Sequence, residues 1–163
     1  MRTAVDTNVL LDILAGEAIA CSSAGQAISK AVSLGPTVIC QVVYAELAGS
    51  FTDLKDVTAF LHDMQVSVEG FSAEATFAAA TAWKRYVARR GPQIECPRCG
   101  HKTTIPCPSC RVPLAWRQHI IADFLVGGHA SEQADCLLTR DFGYFRSYFP
   151  SLQLIAPADA VGP

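Results

Sequence analysis

Four acidic residues lie where apolar segments of the chain end or are interrupted, and this feature most restricts the possible fold. Aspartate and glutamate side chains are almost never buried unless they are paired or bound to a metal. An acid inside a segment such as Ile-Ile-Ala-Asp-Phe-Leu-Val therefore needs a partner that compensates for its charge. The four acids are Asp6, Glu46, Asp123 and Asp141.

A divalent cation is the simplest partner for these acids if their side chains converge. Hard ions such as Mg²⁺ and Mn²⁺ prefer oxygen ligands. An ion of this kind polarises phosphates and activates water. Without a cation the carboxylates would repel one another, so we expect raised pKa values in the metal-free protein.

The order of predicted elements indicates an α/β fold. Apolar and β-branched runs predict strands at 2–6, 37–40, 66–68, 136–139 and 152–155. Helical patterns lie between them, at 7–14, 18–34, 42–50, 54–65, 72–90 and 117–128. Thr7 is the expected cap of the first helix, and Gly127-Gly128 the expected end of the last.

Strands that alternate with helices predict a mainly parallel sheet covered on both faces, a three-layer α/β/α arrangement. Ligands of such folds bind beyond the carboxyl ends of the strands. Asp6 ends the first predicted strand and Asp141 follows another, while Glu46 and Asp123 lie on the helices that come next. One edge of the sheet can therefore gather all four acids.

The chain has 163 residues, half of them hydrophobic, which predicts one compact domain with a sizeable core. No apolar stretch is long enough to span a bilayer, so we expect no membrane association. Asp6 and Asp12 interrupt the N-terminal apolar segment, which is unlike a signal peptide. Seven cysteines without such a signal favour a reducing cytoplasm over a disulfide framework.

The segment 91–116 differs in composition from the rest and is predicted to be a separate insert between 1–90 and 117–163. It carries two CxxC pairs, whose four thiolates can bind Zn²⁺ tetrahedrally in a closed structural site. The segment has too few apolar residues for a core and must fold on its metal. Two disulfides in an exported loop, or an iron site, are the alternatives. The predicted zinc ligands are Cys96, Cys99, Cys107 and Cys110.

Basic residues are concentrated around the insert. The chain has 13 lysines and arginines, and eight of them lie in 84–117, beside a single acid, Glu95. Such a cluster on a mildly acidic chain favours a polyanionic partner. The alternative is a solvated helix face with counter-charges for the thiolates. The candidate residues for binding such a partner are Arg98, Lys102, Arg111 and Arg117.

Four motifs, in order, resemble those of PIN-domain nucleases, and in particular of VapC-type toxins. They cover nearly the whole chain outside the insert. The motifs are Asp6-Thr7-Asn8-Val9-Leu10-Leu11-Asp12, Tyr44-Ala45-Glu46-Leu47, Ile121-Ala122-Asp123-Phe124 and Leu138-Thr139-Arg140-Asp141-Phe142.

This resemblance implies a Mg²⁺- or Mn²⁺-dependent endoribonuclease that forms a homodimer and is inhibited by a cognate antitoxin. The four acids would hold the metal, and Asn8 and Thr139 would orient carboxylates or water. The inserted CxxC pairs depart from the compact toxin pattern. A PIN nuclease of RNA maturation, a non-catalytic RNA-binding module, and a phosphatase or DNA nuclease therefore remain open.

Two further predictions concern residues near these motifs. Asp12 follows Asp6 on the first helix and is predicted to be a solvated or capping acid. Five aromatic residues near the C-terminus are predicted to pack in the core or in a dimer rather than to stack on bases. They are Phe142, Tyr144, Phe145, Tyr148 and Phe149.

Overall fold

The structure is a computed structural model, and it describes residues 1–16, 18–89, 91, 93–95, 101–114 and 121–157. Within these ranges, no helix is both long enough and apolar enough to cross a membrane. The elements in chain order are β1 Thr3–Val5, α1 Thr7–Ala15, α2 Ala18–Leu34, β2 Thr37–Cys40, α3 Gln41–Ala48, α4 Leu54–Asp63, β3 Val66–Glu69, α5 Ala73–Arg89, β4 Ile94–Glu95, β5 Lys102–Thr103, α6 Ile121–Gln133, β6 Cys136–Leu138, α7 Phe142–Tyr148 and β7 Gln153–Ile155.

A five-stranded parallel sheet forms the centre of the molecule, with strand order β3-β2-β1-β6-β7. Every residue of β1, β2 and β6 is buried. Since successive side chains of a strand point to opposite faces, both faces of the sheet must be covered. The predicted three-layer α/β/α architecture is therefore confirmed, and β1 lies at its middle.

Helix α6 differs from the prediction, because it does not stop at Gly127-Gly128 but continues to Gln133. A Cβ atom on Gly127 would collide with the ring of Phe149, and one on Gly128 with the backbone of Ala75. These glycines therefore allow close packing inside a helix and do not end it. The predicted start of this helix, before residue 121, lies outside the described residues.

Two local features near the sheet also differ from the prediction. Asp6, not Thr7, occupies the N-cap position of α1, in an extended conformation and without a side-chain cap bond. Helix α7 was not predicted at all. Its N-cap is Asp141, whose carboxylate accepts a hydrogen bond from the backbone N–H of Tyr144.

Helices α5 and α6 pack side by side in opposite directions. Near the start of α5, Ala75 and Ala79 lie against Gly128 of α6. Near the other end, Phe124 lies against Trp83, with ring centroids 5.2 Å apart. The described end of α5 is consequently close to the described start of α6. Strands β4 and β5 of that segment form their own antiparallel sheet.

Candidate active site

Asp6 lies at the centre of the carboxyl edge of the sheet. It follows the last residue of β1, and its backbone N–H donates to the carbonyl oxygen of Leu138 at the end of β6 (3.0 Å). The hydrogen bond joins the ends of two neighbouring parallel strands. The acid is therefore held at the edge where ligands of parallel sheets bind.

A hydrogen-bond network fixes the orientation of the Asp6 carboxylate. Its Oδ2 accepts from the Thr139 hydroxyl (2.6 Å) and from the Asn8 amide (2.7 Å). The Thr139 oxygen in turn accepts from the backbone N–H of Asp141 (3.0 Å), and the Asn8 carbonyl accepts from the backbone N–H of Arg140 (3.2 Å). Thr139 itself is fully buried. The two residues that the resemblance assigned to orientation both contact Asp6.

The Glu46 carboxylate is connected to the same edge through Thr7. Glu46 lies on α3, and its Oε2 accepts from the hydroxyl of the buried Thr7 (2.5 Å). Sequence reasoning missed this contact, because it assigned Thr7 to the helix cap. The missed residue holds two acidic motifs together across 39 positions of the chain.

Asp123 is positioned by the aromatic residue that follows it. It lies in the first turn of α6 and is half-buried. Phe124 is fully buried and meets the rings of Trp83 and Tyr144 edge to face, with centroids 5.2 and 5.1 Å away. This ring is fixed in the core, and the neighbouring carboxylate therefore projects from a rigid turn.

All four predicted acids line one cavity of about 280 Å³. None of the described residues that line it is basic. Within the described lining, oxygen-bearing acidic side chains are therefore the charged groups. Its other lining residues are Thr7, Asn8, Leu11, Val126, Tyr144 and Phe145.

The carboxyl of Asp6 responds to this environment. Burial raises its pKa above the ordinary value, and the charges of Glu46 and Asp141 raise it further. The hydrogen bond from Thr139 and the backbone N–H of Thr7 oppose the shift. The side chain is therefore in an environment that disfavours its charge and would be relieved by a cation.

The oxygen donors of the cavity suit a hard divalent ion, and mutual crowding of their charges favours one. In the described part of the chain, no three Asp, Glu, His or Cys side chains already stand close enough to hold one metal ion. The four acids share one cavity.

A larger groove of about 550 Å³ runs along α4 and the edge strand β3. Its described lining includes Tyr44, Leu61, His62 and Val68 but no carboxylate. The smaller cavity is the better candidate site, because its described lining holds the four predicted acids.

The described part of the insert contains one complete CxxC turn. The backbone N–H of Cys107 donates to Val112, and that of Arg111 donates to Cys107 (both 2.9 Å). Arg111 ends the turn in the left-handed region, with φ of 63°. The backbone N–H groups of Cys110 and Ser109 hold the pKa of the Cys107 thiol below its ordinary value. The turn thus favours a thiolate on Cys107.

In the sequence, each CxxC pair lies between two residues that are paired with each other across antiparallel backbone segments. Glu95 pairs with Lys102, so that six residues, 96–101, connect β4 to β5. Pro106 pairs with Pro113, and again six residues, 107–112, lie between them. The two connections read Cys-Pro-Arg-Cys-Gly-His and Cys-Pro-Ser-Cys-Arg-Val. Cys96 and Cys99, two of the four predicted zinc ligands, lie outside the described residues.

Two of the four candidate RNA-binding residues are described, and both Lys102 and Arg111 are exposed. Arg98 and Arg117 lie outside the described residues. The five C-terminal aromatic residues are largely in the core: Tyr144, Phe145 and Phe149 are buried, and Tyr148 packs against them. For these three, packing is the confirmed role.

Asp12 is not the solvated acid that the sequence predicted. It is buried, 9% exposed, and its carboxylate pairs with the guanidinium of Arg140 (3.0 Å). Local sequence could not reveal the pair, because its partners are far apart along the chain. The one indication of this pair in the sequence is that Asp12 lies in the first acidic motif and Arg140 in the last.

No protein-family model matches the chain, and no curated protein matches its sequence. A solved structure does match: VapBC2 from Rickettsia felis, bound to a DNA fragment from their promoter. The TM-score is 0.61, and the superposition covers 96% of this chain and 98% of that chain. Sequence identity is 17%, so the likeness concerns the fold alone. The chain therefore has a PIN-like fold.

Proposed function

We propose that this protein is a Mg²⁺- or Mn²⁺-dependent endoribonuclease and the toxin of a type II toxin–antitoxin pair. The observation that carries the proposal is the cavity at the carboxyl edge of the sheet, where four carboxylates meet without a basic residue in the described lining. The likeness to a VapBC complex supports the toxin assignment at the level of fold. A cognate antitoxin and a second copy of the chain are the expected protein partners.

The proposed metal ligands are Asp6, Glu46, Asp123 and Asp141. A bound divalent ion supplies Lewis-acid polarisation of the phosphodiester and a water of lowered pKa. The protein contributes pre-arranged oxygens: Thr139 and Asn8 hold one face of the Asp6 carboxylate, and Thr7 holds the Glu46 carboxylate. Such fixed dipoles reduce the reorganisation that the reaction requires.

Zn²⁺ is the proposed metal of the insert, bound by Cys96, Cys99, Cys107 and Cys110. The support is the described Cys107–Val112 turn and its sequence-equivalent partner of the same length. Four thiolates saturate zinc, so this metal would stabilise the insert and leave the chemistry to the carboxylates. Arg98, Lys102, Arg111 and Arg117 are proposed to bind RNA next to it.

The insert also supports a second function, a PIN nuclease of RNA maturation that uses a zinc ribbon to recognise its substrate. The two functions share their chemistry and differ in the RNA that is cut. A toxin should halt growth within minutes of induction and cut one or a few abundant RNAs. A maturation nuclease should leave growth intact and cut a precursor.

The test is to sequence RNA ends after brief induction of wild type and of the Asp6→Asn variant, with purified protein assayed on RNA and DNA in parallel. New ends that need both Asp6 and Mg²⁺ or Mn²⁺ support the proposal. Asp63→Asn is a matched control, because its side chain is 75% exposed on α4 and outside the cavity. Metal-dependent cleavage of DNA but not RNA, or equal cleavage by wild type and Asp6→Asn, would contradict it.

A further inference from the structure

Arg140 is adjacent to the acidic site but does not line the described cavity. It stands between Thr139, which donates to Asp6, and Asp141, which lines the cavity. Its backbone N–H donates to Asn8 (3.2 Å), so its main chain belongs to the network that holds Asp6. The guanidinium reaches Asp12 on α1, with Nη2 and Oδ1 3.0 Å apart.

The two partners of this ion pair differ in exposure. The side chain of Asp12 is 12% exposed, whereas that of Arg140 is 54% exposed. A guanidinium has five N–H donors in a planar fork, and a single Nη2 contact with Asp12 leaves donors available to solvent. Asp12 therefore fixes the orientation of the arginine without covering it.

The position of the guanidinium follows from α1. Asn8 and Asp12 are four residues apart on this helix and share one face, about 6 Å apart along the axis. Leu11, between them, lines the cavity. The residue that holds the guanidinium is consequently about one helical turn from Asn8, a separation comparable to that of successive phosphates in a nucleic-acid strand.

We propose that Arg140 binds a phosphate of the RNA strand adjacent to the phosphate under attack, and that Asp12 is the residue that positions it. The inference rests on the proposed nuclease function. A strand with its charged backbone must approach a cavity lined by four carboxylates, and an arginine at the rim offsets this repulsion. Arginine suits the task, since its fork binds phosphate oxygens in pairs and an oriented fork loses less entropy on binding.

The experiment measures binding separately from cleavage. All chains carry Asp6→Asn so that a short labelled RNA stays intact in Mg²⁺, and affinity is measured at several salt concentrations. Arg140→Gln should weaken binding about tenfold or more, the scale of a charge-assisted hydrogen-bond pair. It should also make the slope of log affinity against log salt shallower by about 0.7, as expected for one lost phosphate contact on a single strand.

Three companion variants separate this role from a structural one. Arg140→Lys should keep the salt slope and recover only part of the affinity, because a point charge replaces the fork. Arg146→Ala on α7 removes an exposed charge six positions away and should change neither quantity. Asp12→Asn should weaken binding less than Arg140→Gln, and should have no effect in chains that already carry Arg140→Gln.

Unchanged affinity and slope in Arg140→Gln would overturn the proposal, as would additive effects of the two substitutions. The double variant removes both charges, so it leaves no buried unpaired acid and keeps the test valid if Arg140→Gln folds poorly. The proposed nuclease function has a separate readout. If wild type cuts no RNA while RNA binding still depends on Arg140, the nuclease function is wrong and the Arg140 site is supported. If wild type cuts RNA and Arg140→Gln binds RNA normally, the nuclease function is supported and the Arg140 site is wrong.

Discussion

The acidic cavity and the cysteine insert are built on opposite principles. The cavity residues project from strands and helices whose other side chains form the core, and Val5, Phe124 and Leu138 beside them are buried. Within residues 101–114 of the insert, every residue except the half-buried Cys107 is exposed. The cavity is positioned by hydrophobic packing. The insert has no such packing in its described residues and depends on backbone pairing and, as we propose, on zinc.

The largest expected effect concerns chemistry in the cavity. Asp123→Asn should reduce cleavage by about a hundredfold or more, the scale seen when one charge-stabilising group is lost from a site. The fold should survive, because Phe124 continues to anchor this turn of α6. Rates with saturating RNA and circular dichroism of the purified variant test this. Near-wild-type cleavage would remove Asp123 from the site.

The next effect concerns the insert and should leave the cavity alone. Cys107→Ser should release zinc, with a fall from one Zn²⁺ per chain towards none, and should disorder the insert. The main domain should keep its melting temperature to within a few degrees, because β4 and β5 pair with each other and not with the central sheet. Elemental analysis and calorimetry are the measurements. Cys136→Ser, at a buried core thiol, is a contrasting variant that should destabilise the main domain without zinc loss.

Finding iron, or no metal, in wild-type protein purified from cells would contradict the zinc assignment. Collapse of the main domain together with the insert would contradict the separation of the two regions. The second result would show that the insert is not an independent unit beside the cavity.

Metal binding to the cavity should give an intermediate effect on stability. At a concentration about a hundred times its dissociation constant, Mg²⁺ or Mn²⁺ should add about 2.7 kcal/mol to the free energy of unfolding. For a chain of this size this corresponds to roughly 5–10 °C in melting temperature. Asp141→Asn should reduce the gain. An equal gain in both proteins would mean that the cation binds elsewhere.

A smaller effect is expected from the pH dependence of the metal-free protein. The folded-state pKa of Asp6 is raised, so the stability linked to this group is present at acidic pH and is lost as pH rises through that pKa. Asp6→Asn does not titrate at this position. Its free energy of unfolding should therefore exceed that of wild type at neutral pH by a margin that shrinks as pH falls. Denaturation in a chelator at several pH values tests this, and a margin that is constant with pH would refute it.

The smallest expected effect comes from the basic residues of the insert. Together, Arg98→Ala, Lys102→Ala and Arg111→Ala should weaken RNA binding and flatten its salt dependence, by up to about 0.7 in slope per lost contact. Cleavage of a short saturating RNA should hardly change, because the described Lys102 and Arg111 do not line the cavity. An unchanged slope with weakened zinc retention would indicate that the charges serve the thiolates instead.

The sequence by itself determined the parallel α/β fold, most element boundaries and the positions of the four acids. Local patterns were sufficient there, since strand burial and helix periodicity are repeated over neighbouring residues. Gly16 ends α1 in a left-handed conformation, which glycine adopts without a steric cost. The convergence of the acids followed from topology, because parallel strands place their carboxyl ends at one edge.

Only the tertiary structure decided which side chains meet. The contacts of Thr7 with Glu46, Asp12 with Arg140, and Gly128 with Ala75 join residues that are remote in the chain. In each case the local pattern favoured another role: a helix cap for Thr7, a solvated acid for Asp12 and a helix end for Gly128. Long-range packing prevailed, because a buried polar group needs a partner and a close helix pair needs a missing Cβ, and neither requirement is written in the neighbouring sequence.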